Sequence, residues 1–110
     1  MSGLMTMHEY RAAQAAEMAE RELQDAVMAL GRYLGYRCYH THDSRRSEPG
    51  FPDLVLARPG RVVVAELKRE TGRLTDDQQD WLERLGGAGI ECHIWRPSDY
   101  LDGRIEEVLR

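Results

Sequence analysis

The sequence of 110 residues has little that would tie it together covalently, with only two cysteines, Cys38 and Cys92. One pair at most is too few for a disulfide scaffold. Both sit in strand-like segments, so the expectation is two reduced, partly buried thiols rather than a disulfide. No apolar run approaches the ~20 residues needed to cross a bilayer, and no signal-peptide pattern opens the chain, so no membrane association is expected. Repeats, linkers and low-complexity stretches are absent, and this length suits a single domain with one core. Metal-ligand spacing of the Cys-x2-Cys or His-x3-His kind is also missing. The alternating Cys38, His40 and His42 have only Cys92-His93 to join them, which argues against structural zinc. His40 and His42 fit better as packing or substrate-contacting groups.

What is present is ordinary in amount and uneven in placement. Hydrophobic residues make up 42% and charged residues 31%, as in soluble globular proteins. The formal net charge of -4 argues superficially against a polyanionic partner. Residues 1–30 carry two basic and five acidic side chains, residues 31–73 nine and five, and residues 74–110 four and nine, giving -3, +4 and -5. Local basic patches decide phosphate binding more than net charge does. A solvated surface remains the alternative for any such run.

The basic block surrounds the stretch Gly50–Lys68, GFPDLVLARPGRVVVAELK. Two apolar runs flank Arg58-Pro59-Gly60-Arg61, and valines favour strands, so the stretch predicts a β-hairpin. If Arg58 faces Arg61, Asp53 falls opposite Glu66. Opposed like charges are destabilising at such a pair, so the two carboxylates call for a cation. Lys68, two residues on, projects from the same face. A three-residue loop would shift the register and separate the acids.

Residues from about Thr6 to Leu34 lack proline and read as one long helix or two abutting ones. Leu23, Val27, Leu30 and Leu34 form its core stripe. Glu20 lies roughly 50° from the middle of that stripe, at the edge of the buried face, where it either reaches a site in the sheet or stays solvated. The Ala-rich segment before it either packs on a second subunit or sits in water. Tyr36–His42 alternates as a strand. Asp43–Pro49 is a loop whose Ser44, Arg45 and Arg46 suit phosphate oxygens, with plain solvation as the alternative. Arg69 and Arg73 follow Lys68 in the same basic block. Thr75 to Gln78 has capping-box spacing, so Gln78 has a structural role available. The helix it opens offers Trp81, Leu82 and Leu85 as a core face. Ile90–Trp95 is a last strand, and Ile105, Val108 and Leu109 are apolar positions in a terminal helix. The order α-β-β-β-α-β predicts an α/β fold, a small mixed four-stranded sheet flanked by helices.

Pro52-Asp53 followed by Glu66-Leu67-Lys68 resembles the PD-(D/E)xK nuclease signature. GFPDLVLA, the valine-rich strand into AELK, GRLT--Q--WL and HIWRP resemble the virus-type replication-repair nuclease (VRR-NUC) domain, standalone phage or bacterial type, from about Glu20 to Pro97. On that resemblance, residues 1–19 are an N-terminal helical extension and residues 20–110 a single VRR-NUC-like nuclease domain. The resemblance implies a restriction-endonuclease-like fold and Mg2+- or Mn2+-dependent cleavage of phosphodiester bonds. It implies Asp53 and Glu66 as metal ligands, Lys68 as the catalytic lysine, and Glu20 and Gln78 as further catalytic residues. The backbone carbonyl of Leu67, and Glu20, are additional candidate ligands. An ion pair with Glu66 or Asp53 is the alternative for Lys68. Ser44, Arg45, Arg46, Arg69, Arg73 and His42 are the expected DNA contacts. The expected partners are branched DNA and a second copy of the chain, in the cytoplasm of a bacterial or phage-infected host cell. The expected activity is that of a Holliday-junction resolvase. The alternatives are a flap or nicking repair nuclease, or a non-catalytic DNA-binding module that keeps the fold.

Overall fold

A computed structural model describes residues 3–42 and 44–110, with Ser44 described in its backbone only. Five helices, α1 (Met7–Glu17), α2 (Glu20–Tyr33), α3 (Asp76–Gly87), α4 (Pro97–Leu101) and α5 (Arg104–Leu109), surround four strands, β1 (Arg37–His40), β2 (Leu54–Arg58), β3 (Arg61–Leu67) and β4 (Glu91–Trp95). The sheet order is β1-β2-β3-β4; the first three strands are antiparallel and β4 is parallel to β3. The expected mixed four-stranded sheet flanked by helices is present. Among the described residues no helix is long and apolar enough to cross a membrane.

The long N-terminal helical stretch is two helices. Met18 and Ala19 take extended backbone angles between them, and Glu22 turns back to accept from the Ala19 N–H at 3.3 Å. That carboxylate caps a donor which no serine or threonine is placed to cap. Ala15 is buried where α1 packs on α4, and most of α1 is otherwise exposed. Ala15 thus docks within the chain, while Ala12, Ala13 and Ala16 are exposed.

Alternation along the ladder puts Leu54, Leu56, Val63, Ala65 and Leu67 on one sheet face. They meet Leu23, Val27 and Met28 of α2 and Ile105 and Leu109 of α5, nearly all fully buried. Each leucine, valine, isoleucine or methionine among them contributes about 2 kcal/mol of burial energy. The opposite face, which carries positions 53, 66 and 68, is only partly covered: Tyr39, Val62 and Ile94 remain exposed there. The expected core face of α3 is shallower than its pattern suggests. Trp81, Leu82 and Leu85 are half-buried, and α3 has no buried residue. Periodicity tells which side of a helix turns inward, but the depth of the seat depends on the opposing surface.

At the turn end of the hairpin, Arg61 forks onto Glu91 of β4 at 2.9 and 2.7 Å and reaches the Tyr36 hydroxyl at 2.9 Å. The Arg61 fork, with a further hydrogen bond between Glu91 and His93 Nε2 at 2.7 Å, holds the Glu91 carboxyl down to about 2. Arg58 lies over the Tyr36 ring, 4.4 Å from its centre, and donates to the carbonyls of Leu34 and Arg110. One end of β2–β3 is thus clamped to α2, β4 and the C-terminus. The other end carries the acids.

Candidate active site

The hairpin turn has two residues, Pro59 and Gly60, and Gly60 takes φ 82°. Proline followed by a left-handed glycine is the type II pattern. Its length fixes Arg58 opposite Arg61, and the ladder runs from there to Leu54 opposite Ala65. One more step places Asp53 opposite Glu66, the expected register; a second places Pro52 opposite Leu67.

Asp53 is held at both ends. Its Oδ2 accepts from the Leu67 N–H at 2.8 Å, and its backbone carbonyl accepts from the Thr41 N–H at 3.0 Å. Thr41 Oγ1 donates to the Pro52 carbonyl at 3.2 Å. Proline has no N–H, so the Leu67 carbonyl faces β2 with no backbone donor opposite it. That oxygen lies beside the two carboxylates by construction of the register.

Glu66 is 2% exposed, and its Oε2 is a buried oxygen with no hydrogen-bond partner. Its carboxyl is pushed up to about 9, first by burial, then by the hydrogen bond and charge of Asp53. Glu20 adds to the rise and Lys68 opposes it. A buried carboxylate beside a second one is costly unless a proton or a cation joins it. Lys68, the only lysine in the chain, is 9% exposed, and its backbone N–H donates to the Trp95 carbonyl at 3.0 Å. Among the described residues it closes no ion pair with Glu66 or Asp53.

The set fits a hard divalent cation, which prefers carboxylate and carbonyl oxygens. Asp53, Glu66 and the Leu67 carbonyl supply three such oxygens, and the orphaned Oε2 is a ligand atom without other employment. Among the described residues no three His, Cys, Asp or Glu side chains converge. Glu20 is exposed at the start of α2, and its negative charge is among the causes that raise the Glu66 carboxyl.

Gln78 closes its cap in full. Its Oε1 accepts from the Thr75 N–H at 2.9 Å, and its own N–H donates to Thr75 Oγ1 at 3.2 Å. The side-chain carbonyl is therefore occupied, which leaves the amide N–H2 for any other role. Gly50 brings this end of α3 onto the loop before β2. It takes φ 88°, and a Cβ there would lie 2.5 Å from the Asp77 carbonyl carbon. Only glycine permits both the angle and the approach.

The residues expected to contact phosphates lie on the loops and strand ends that flank the hairpin in sequence. Arg45 and Arg46 are exposed on a 3-10 turn; the side chain of Ser44 lies outside the described residues. His42 is exposed, edge-on to His40 at 6.3 Å. Arg69 and Arg73 are exposed on the loop after Lys68. Arg96 Nη1 holds that loop, donating to the carbonyls of Arg69 at 2.8 Å, Glu70 at 3.3 Å and Gly72 at 2.7 Å. Sequence reasoning assigned no role to Arg96 or Thr41. Both act across contacts distant in sequence, and only the position of each at a strand end hints at them.

A model of the VRR-NUC domain family matches residues 6–98, a span that takes in α1. Two solved structures, described as a VRR_NUC domain and a VRR_NUC domain protein, share the fold. The first has a TM-score of 0.68 at 22% identity over 79% of this chain and 94% of that one. The second has 0.64 at 20% identity over 84% and 91%. A Fanconi-associated nuclease 1 homolog from Caenorhabditis elegans is 42% identical over 55 residues, 46% of this chain. The match spans only 6% of that relative's length.

Proposed function

Because the chain belongs to the VRR-NUC domain family, a family of nuclease domains, we propose that it is a divalent-metal-dependent DNA endonuclease of PD-(D/E)xK type, selective for branched DNA. The observation that carries this reading is the half-buried Asp53 beside the buried Glu66 with its unpartnered oxygen, next to a buried lysine that closes no ion pair with either among the described residues.

Asp53, Glu66 and the Leu67 carbonyl would hold Mg2+ or Mn2+. When bound, such a cation supplies Lewis-acid polarisation of a phosphoryl oxygen and neutralises charge. Lys68 donates to the non-bridging oxygens as negative charge builds on them, or orients the attacking water. Glu20 sits outside the pair and can accept a proton from a water beside it. The Leu67 N–H fixes Asp53 so that the pair needs little rearrangement when substrate arrives.

An aromatic cleft supports the branch-selective reading. Tyr39, Phe51 and Trp81 line a cleft of about 280 Å3, with Phe51 and Trp81 edge-to-face at 5.1 Å. Unstacked bases pack on aromatic rings of this kind. The cleft favours substrates with unpaired bases near the cut, which keeps flap cleavage as a second reading beside junction resolution. Resolution needs two symmetric cuts, and a two-fold dimer provides them.

The test is cleavage of labelled four-way junction, flap, nicked duplex, intact duplex and single strand with Mg2+, Mn2+ or EDTA. The expected result is metal-dependent cutting, with a branched substrate at least about tenfold ahead of intact duplex. Cutting that persists in EDTA removes the metal mechanism. Junction binding without cutting under any metal favours the non-catalytic module. A protein that stays monomeric at micromolar concentration while cutting both strands of a junction removes the dimer.

A further inference from the structure

A cleft of about 670 Å3 lies between α2 and the end of β1. Its α2 wall includes Arg21, Asp25 and Arg32, and its opposite wall is His40, Thr41 and His42. Arg21 and Arg32 are eleven residues apart on one helical stripe, about 16 Å along the axis. Among the described residues neither guanidinium closes a hydrogen bond or an ion pair, whereas Arg58, Arg61 and Arg96 are all committed to carbonyls or carboxylates. Asp25 is the one acid in the wall and offsets one of the two charges, so the cleft is cationic by one unit with its histidines neutral.

The cleft is tied to the acid end of β2 through one residue of its wall. Thr41, in its wall, donates through its backbone to the Asp53 carbonyl and through its hydroxyl to that of Pro52. Arg21 follows Glu20 at the start of α2. Along α2, Arg21 lies at the end whose Glu20 acts on Glu66, and Arg32 lies at the end that meets Arg58 beside the hairpin turn.

On the nuclease reading above, we infer that this cleft seats the phosphodiester backbone of one substrate strand running away from the cut. Arg21 and Arg32 donate to non-bridging phosphate oxygens, and His40 and His42 form the facing wall. Unpaired guanidinium groups spaced along a helix suit a repeating anion, because each offers forked donors that no protein group has taken. The role is binding, separate from the chemistry at Glu66.

The test is anisotropy titration of a fluorescent flap DNA on Asp53→Asn protein across a salt series, with wild-type cleavage run in parallel. Arg21→Ala and Arg32→Ala are each expected to lower the slope of log affinity against log salt by about 1, and to weaken binding roughly three- to tenfold. Arg32→Lys recovers the slope. Arg11→Ala, on the exposed part of α1, changes neither quantity. Both cleft arginines are exposed, so melting temperatures stay at the parent value. Unchanged slope and affinity in the Arg21→Ala, Arg32→Ala double variant, while wild type cuts DNA, overturn the cleft assignment alone. A wild type that neither binds nor cuts DNA overturns the nuclease reading, and the cleft's role goes with it.

Discussion

Glu66→Gln is expected to stabilise the metal-free protein at about pH 8 by roughly 3 kcal/mol. The glutamate is 2% exposed, faces a second carboxyl, and has an oxygen with no partner. In the unfolded chain it ionises near 4.5; in the fold, burial and Asp53 push it to about 9. Between those values the folded state keeps a proton that the unfolded state has released, so stability falls as pH rises. Glutamine keeps the shape and removes the ionisation. Urea unfolding in EDTA should therefore show wild type losing stability from about pH 5 towards pH 9, with a nearly flat profile for Glu66→Gln across that window. Parallel profiles would mean that Glu66 finds a partner in solution and is not held as an isolated buried acid. Adding Mn2+ should reverse the ranking at high pH, because a ligand bound by the folded state alone stabilises it, and only wild type keeps the full ligand pair.

Asp53→Asn is expected to lower the cleavage rate by about 10^3-fold or more while leaving the fold and DNA binding in place. The substitution is nearly isosteric. The amide oxygen can still accept from the Leu67 N–H, now 2.8 Å from Oδ2, so the end of the hairpin keeps its hydrogen bond. What is lost is one negative charge from the cation site. A fall in rate with unchanged melting temperature and unchanged DNA affinity would separate this chemical role from a structural one. A variant that cuts within tenfold of wild type would remove Asp53 from the centre.

Much of this site was legible in the sequence, for an identifiable reason. A Pro-Gly turn between two apolar runs fixes a register by counting, and alternation then carries Asp53, Glu66 and Lys68 to one face. Glu20 was legible as an edge position of an amphipathic helix, and its charge does reach Glu66. Gln78 was legible as a cap, and the cap is what its side-chain oxygen makes. Other features depend on tertiary packing. The break at Met18–Ala19 has no proline or glycine to mark it. The shallow seat of α3 is set by the sheet face beneath, not by the spacing of Trp81, Leu82 and Leu85. Arg96 and Thr41 order the site through contacts with residues 24 and 11 positions away. The free oxygen of Glu66 is a statement about burial, which residue order alone does not contain.

The claim at the centre is that Asp53 and Glu66 share a divalent cation. Calorimetric titration of Mn2+ into wild type and Glu66→Gln at about pH 7.5, repeated in two buffers of different ionisation enthalpy, addresses it directly. Saturable binding by wild type with release of a proton, and no comparable binding by the variant, is the result expected. Identical titration curves for the two proteins would contradict it.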